Sequence, residues 1–377
     1  MPRGFDLLVV GGGVLGLWIA RYADAAGMNV ALADRGRCGC GASGGVLGAL
    51  MPHMPTGWSP KKQFQFDALC ELEDLIRTLE AETGETTGYR RCGRIVPIRK
   101  QAFMAEAERR VEASKRQWGT FRHATRKTEE LAGWIAADAA PFGVLADDLS
   151  ARVSPRRLVA ALRSAIAERV EIVEGWAFAD YNPASGIARA SNGEAIRAGR
   201  IVLAAGSETF GLLAPLVGAT LGAGVKGQAA VLDAGQRFDA QPIIFDNGVY
   251  VVAHDDGRVA VGSTTETRFD DPLSTDQQIE AIILRARALS PVLAEAPVIG
   301  RWAGLRPKCH ERDPIVGLLP DNAHIAVATG GFKITFGIAH RLARWLIEEI
   351  ASSGHAVDLP PEFGVNHHLS AAAARRA

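Results

Sequence analysis

Val9-Val10-Gly11-Gly12-Gly13-Val14-Leu15-Gly16-Leu17 runs from an apolar strand through a glycine loop into a helix. Phe5 to Val10 is a short apolar run of the kind buried in a parallel sheet, and Gly11, Gly13 and Gly16 stand at the G-x-G-x-x-G spacing. The first glycine permits a tight turn, the second lets a pyrophosphate reach the backbone, and the third lets the helix pack closely on the strand. Amides at the helix N-terminus then face the phosphates. A second strand, Asn29 to Ala33, ends in Asp34. That acid lies roughly 20 residues past the loop, where a carboxylate accepts hydrogen bonds from a ribose. The stretch therefore predicts a dinucleotide-binding βαβ unit.

Outward from this unit, Arg35 to Pro60 is rich in Gly, Ser, Pro and Met, with Gly41-Ala42-Ser43-Gly44-Gly45 at its centre. Beside a nucleotide site such a segment is either backbone lying close to the ligand or a plain flexible loop. His53, in the same stretch, reads as a hydrogen-bonded structural residue rather than a catalyst. From Lys61 to Glu82 apolar residues recur at helical spacing, with Gly84 as the stop. Gly93 to Ile98 reads as a strand and Phe103 to Trp118 as a polar helix with a solvated face. Ser154 and Pro155 open a helix running to Glu168, Ser154 as its cap and Pro155 in its first turn. Val170 to Val173 is a strand, and Arg200 to Gly206 is an apolar strand ending in small residues, either an ordinary buried strand or one whose end admits a ligand.

Beyond residue 206 the pattern changes. Val225-Lys226-Gly227-Gln228-Ala229-Ala230-Val231-Leu232 and Gly248 to Ala253 read as strands, and Asp255-Asp256-Gly257 turns the chain into Arg258 to Gly262, a hairpin signal. A second domain on an antiparallel sheet is the inference. Ile279 to Leu289 reads as a helix and Arg301 to Pro307 as a return strand. His324 to Ala328, the turn Thr329-Gly330-Gly331-Phe332-Lys333, and a helix marked by Ile338, Leu342, Trp345, Leu346 and Ile350 repeat the opening outline of strand, glycines and helix start. Ser370 to Ala377 is expected to fray.

Composition narrows the partners. At 377 residues the chain exceeds what one core usually serves, so two domains are expected. Lys+Arg and Asp+Glu both number 42, so bulk charge favours neither nucleic acid nor an acidic membrane. No unbroken apolar run is long enough to span a bilayer. The cysteines, Cys38, Cys40, Cys70, Cys92 and Cys309, form no C-x-x-C pair, which favours free thiols in a reducing cytoplasm over disulfides or a metal site.

In order, the opening loop with Asp34, Val225-Lys226-Gly227-Gln228, the Tyr250 to Gly262 hairpin, Trp302-Ala303-Gly304-Leu305-Arg306-Pro307 and the second glycine turn resemble the D-amino-acid oxidase superfamily. The likeness covers about Phe5 to Ile350 and is nearest to the bacterial glycine oxidase branch, while Gly331-Phe332-Lys333 is also similar to the turn of monomeric sarcosine oxidase. It implies an α/β fold, with a Rossmann-like FAD-binding domain and a discontinuous antiparallel-sheet substrate domain. The FAD-binding domain would take 1–84, 151–224 and 301–365, the substrate domain 85–150 and 225–300, and 366–377 would be a tail.

The resemblance further implies noncovalent FAD. Gly11, Gly13, Gly16, Asp34, Ser43, Gly44, Val173, Gly206, Gly330 and Gly331 would contact it, Asp34 at the ribose and Val173 through its backbone on the adenine side. Cys309 is displaced from the position at which sarcosine oxidases bond their flavin. Arg306 would clamp a substrate carboxylate, which a guanidinium binds bidentately. Tyr250 would donate its hydroxyl to the same carboxylate or simply pack in the sheet. Lys333 would pair with that carboxylate or stabilise negative charge on the reduced cofactor. The implied reaction is oxidation of a small amino acid or N-methyl amino acid by hydride transfer to flavin, with imine hydrolysis and peroxide release. A same-fold dehydrogenase serving a quinone or protein acceptor, and a non-catalytic flavin-binding subunit, are the alternatives; the oligomeric state is open.

Overall fold

The computed structural model describes residues 4–376. Two eight-stranded sheets carry the molecule. In the first, the opening strand Gly4–Val10 lies between Val30–Asp34 and Ala195–Leu203, parallel to both. Glu171–Glu174 extends the parallel array beyond Val30–Asp34, and Asn322–Thr329 extends it beyond Ala195–Leu203. Registers Val10↔Ala33 and Val10↔Leu203 bring the carboxyl ends of three neighbouring strands to one edge. A crevice outside such ends is where open α/β sheets bind ligands. Helices Val14–Ala25, Pro60–Thr83, Pro155–Ile166 and Thr335–Ala351 share one core on one face of this sheet.

The second sheet runs in the order Val298–Cys309, Gly222–Asp233, Arg258–Gly262, Val249–Ala253, Ile243–Asp246, Arg94–Pro97, Val144–Asp147, His123–Arg126. It is antiparallel except where Ile243–Asp246 pairs with Arg94–Pro97. Helix Gln277–Leu289, whose N-cap Asp276 accepts from Gln278 N at 2.9 Å, covers its apolar face. Arg94 and Asp147, opposite each other in the register, form an ion pair at 2.7 Å with side chains only 3% and 1% exposed. Asp147→Ala leaves that guanidinium buried without its counter-charge, and urea unfolding is expected to show a loss of about 3–5 kcal/mol.

Local signals explain the ends of one long helix. Ser59 Oγ accepts from Lys62 N and Gly84, at φ 70°, closes Pro60–Thr83 as expected. Ser154 stands at the N-cap of Pro155–Ile166 but its hydroxyl caps nothing; its amide donates to Thr87 O at 2.9 Å instead, and the helix stops before Glu168. Two boundaries also move. The return strand is the whole of Val298–Cys309, so a division at 300/301 cuts through a strand that pairs with Gly222–Asp233 on both sides of that point. The expected tail is a helix, Val365–Ala374, because His368 is buried with Nε2 3.1 Å from Pro314 O and Ala372 packs beneath the first sheet. Ala377 lies outside the described residues.

Candidate active site

A cavity of about 360 Å³ begins at the carboxyl ends of the parallel strands and ends between the second sheet and the Gly330–Lys333 turn. At its start, Gly11 adopts φ +113°, and a Cβ there would stand 2.5 Å from Ala204 O. A Cβ on Gly16 would overlap the Gly11 carbonyl oxygen, so the third glycine brings the helix against the loop. Gly12 N and Gly36 N donate to the two Asp34 carboxylate oxygens at 2.7 and 2.8 Å. Cys40 Sγ also donates to Oδ1, at 3.8 Å, and of the about four acceptor positions of a carboxylate one is left over. Ser43 Oγ accepts from Val14 N at 3.0 Å and so occupies one amide of the helix N-terminus. Over the same end Arg35 pairs with Glu208 at 2.5 Å.

The far end is apolar, aromatic and cationic. Tyr250, on Val249–Ala253, is 9% exposed, and burial raises its phenol above the ordinary value. Arg306 projects from Val298–Cys309, and Nη1 donates to Thr264 O at 3.2 Å. Burial lowers its pKa, and no carboxylate is ion-paired with it among the described residues. Lys333 Nζ lies 5.8 Å from the Tyr250 ring centroid and 5.7 Å from that of Phe332. Burial first, then Arg306 and Lys308, pushes its ammonium down to about 8. Two half-buried cations thus share this end of the cavity, an arrangement that favours an anionic ligand.

Expected and observed positions differ in detail. Gly11, Gly13, Asp34, Ser43, Gly206, Gly330 and Gly331 line the cavity, as do Tyr250, Arg306 and Lys333. Gly16, Gly44 and Val173 do not. Gly16 packs against the loop from behind, and Gly44 turns away with its carbonyl accepting from Arg156 Nε at 2.8 Å. Val173 is consumed by pairing with Ala33, and Trp176, Ala177 and Phe178 stand at the wall in its place. His53 is outside the lining. Cys309 is 1% exposed and lies beneath Gly330, where a Cβ would overlap its sulfur, so it too is away from the cavity. Sequence reasoning left Trp302 without a role. Its ring lies where a Cβ of Gly304 would come within 2.5 Å, and it forms part of the wall. Only the strand register places that ring beside Arg306.

The residues fit FAD. A Cβ on Gly41 or Gly206 would meet nothing within 4 Å, so bare backbone faces the middle of the cavity from two sides, where a pyrophosphate needs close approach. The Asp34 carboxylate stands at one end and an apolar, cationic chamber at the other.

A family model described as FAD dependent oxidoreductase matches residues 6–345. The chain belongs to this family. Family membership makes it an FAD-dependent enzyme. It is 29% identical over 370 residues to the glycine oxidase of Pseudomonas aeruginosa, spanning 94% of this chain and 97% of that protein. The fold is that of the glycine oxidase from Geobacillus kaustophilus, with a TM-score of 0.85 at 24% identity over 95% of this chain and 98% of the other. Iminodiacetate oxidase from Chelativorans sp. BNC1 superposes with a TM-score of 0.82 at 25% identity, covering 95% and 98%. Among the described residues of this family member no helix is long and apolar enough to cross a membrane.

Proposed function

We propose that the enzyme oxidises a small amino acid or an N-substituted glycine at the carbon bearing nitrogen, the imine product then being hydrolysed by water. The observation that carries this reading is the guanidinium of Arg306, without an ion-pair partner among the described residues, beside Tyr250 and Lys333 at the end of the cavity opposite the glycine loop. Bound FAD would supply a hydride acceptor. Gly11, Gly13, Ser43 and Gly206 would hold its pyrophosphate region, Asp34 its ribose, and Ala177 and Phe178 the adenine side. The buried Cys309 supports noncovalent attachment. Arg306 binds the carboxylate, Tyr250 donates its hydroxyl to it, and Trp302 excludes water from the same face. Relatives named for glycine and iminodiacetate oxidation support the substrate class.

The test is anaerobic bleaching of the flavin absorbance by glycine, sarcosine, iminodiacetate, proline and D-alanine, followed by admission of oxygen. Bleaching by at least one of them, with oxygen uptake and peroxide on turnover, is the expected result. Bleaching without oxygen uptake would transfer the electrons to a quinone or protein acceptor, and no bleaching by any amino acid would overturn the reading.

Lys333 gives the site a pH dependence. Its ammonium is charged below about 8 and neutral above. Acetate, which does not titrate in this range, is therefore expected to bind the holoenzyme more weakly as pH rises through about 8. Lys333→Arg should abolish that loss, because a guanidinium stays charged. Lys333→Met should bind weakly at every pH.

A further inference from the structure

Lys226-Gly227-Gln228 lies on the strand next to Arg306, and its side chains alternate across the second sheet. Gly227 shares the cavity face with Arg306, which pairs with Val225 two residues away. A Cβ on Gly227 would overlap Nη1, Cζ and Nη2 of Arg306, so the guanidinium lies directly on the glycine. Gly227 is opposite Gly304, over which the Trp302 ring leans. The two facing glycines leave a bare floor over which a long cation and an indole, four positions apart on one strand, both extend.

Lys226 and Gln228 point to the other face and are 2% and 0% exposed. There Lys226 Nζ is 3.8 Å from Glu266 and 3.4 Å from Asp276, and Gln228 Nε2 donates to Glu266 at 2.9 Å. Gln228 Oε1 accepts from Asp276 N at 2.9 Å. The Thr264 hydroxyl donates to Glu266 and accepts from Gln228 N at 2.8 Å. This buried network fastens the 264–276 segment to the sheet, and Thr264 is the residue whose carbonyl accepts from Arg306.

We propose that Lys226-Gly227-Gln228 is the positioning element of the carboxylate clamp: Gly227 is the seat of the Arg306 guanidinium, and Lys226 and Gln228 hold the Thr264 carbonyl that fixes its direction. The proposal rests on the reading that Arg306 binds the substrate carboxylate. A methyl at 227 meets the far end of a flexible side chain rather than backbone, so it moves the guanidinium instead of breaking the sheet. Glu266 Oε2 has no hydrogen bond and only the Lys226 ammonium, at 3.8 Å, to offset its charge, so the arrangement depends on Lys226 staying beside it.

The test uses FAD-loaded protein titrated with acetate, read by perturbation of the flavin spectrum. Gly227→Ala is expected to weaken acetate about 30-fold, and to raise KM for the bleaching amino acid far more than it lowers kcat, with FAD affinity unchanged. Added to Arg306→Ala, the same substitution should do nothing further, because the group it displaces is already gone. Thr264→Val cuts the hydroxyl link with little change of volume; it should weaken acetate about fivefold, again only when Arg306 is present. This second variant carries the test should Gly227→Ala not fold. Unchanged acetate binding in both variants, or losses that simply add to that of Arg306→Ala, would overturn the proposal. An Arg306→Ala protein that binds acetate like the parent would overturn the reading of Arg306 itself, independently of the seat.

Discussion

Arg306→Ala is expected to leave a yellow, folded holoenzyme whose KM for its amino acid is about 300-fold higher, matching the roughly 3–4 kcal/mol lost with one partner of a buried charged pair. Arg306 has one hydrogen bond, to Thr264 O, and no ion pair among the described residues, so its removal strands no protein carboxylate. The loss should therefore fall on substrate rather than on stability. Arg306→Lys should recover only part of it, because an ammonium cannot present two parallel N–H groups to a carboxylate. Anaerobic flavin bleaching against substrate concentration measures both variants, and an unchanged half-saturation in Arg306→Ala would remove Arg306 from the site.

Gly16→Ala is expected to yield colourless protein. Its new Cβ would overlap the Gly11 carbonyl oxygen, a backbone atom that cannot swing aside. Gly11 is itself pinned by its amide donating to Ala33 O at 2.7 Å and by Ala204 behind it. Relief must come from shifting helix Val14–Ala25 away from the opening strand, which carries its N-terminal amides off the cavity. Flavin fluorescence titration of the apoprotein should show affinity lower by on the order of 100-fold or more, consistent with a steric fault in a closely packed core. Retained FAD in stoichiometric amount would show that the loop can relax without cost to the cofactor. The contrast with Gly227 is instructive: one glycine faces backbone and protects the fold, the other faces a mobile guanidinium and protects an orientation.

The features legible in the sequence are those whose causes are local. The opening strand, its glycines and Asp34 lie within one βαβ unit, the Asp255-Asp256-Gly257 turn announces its own hairpin, and Ser59, Pro60 and Gly84 bracket a helix by chemistry at its ends. Family likeness then brought Tyr250, Arg306 and Lys333 together, which spacing alone could not do, since they lie on three separate elements. Relations between distant segments were not legible. Whether Val173 or Trp176 reaches the cavity depends on how far Glu171–Glu174 remains paired with Val30–Asp34. The closing helix Val365–Ala374 reads as polar and small until Pro314 and the first sheet supply the surface that buries His368. The importance of Gly227 depends on register with a strand far along the chain, and glycine in a strand is otherwise a mark of weakness.

The placing of the opening strand in the middle of its sheet has a consequence for how the molecule is made. Gly4–Val10 meets Val30–Asp34 almost as soon as both are synthesised, but its other neighbour, Ala195–Leu203, follows only after three strands of the second sheet. At ordinary ribosomal speeds that interval is on the order of ten seconds or more, and loops so long form slowly. Ala195–Leu203 in turn waits for Asn322–Thr329, so a nascent chain halted before that strand exposes an unpaired edge whose Ile201, Val202 and Leu203 are fully buried in the finished protein. Such an edge is a template for aggregation. The glycine loop is thus translated well before the strands that build the walls by which it holds a nucleotide.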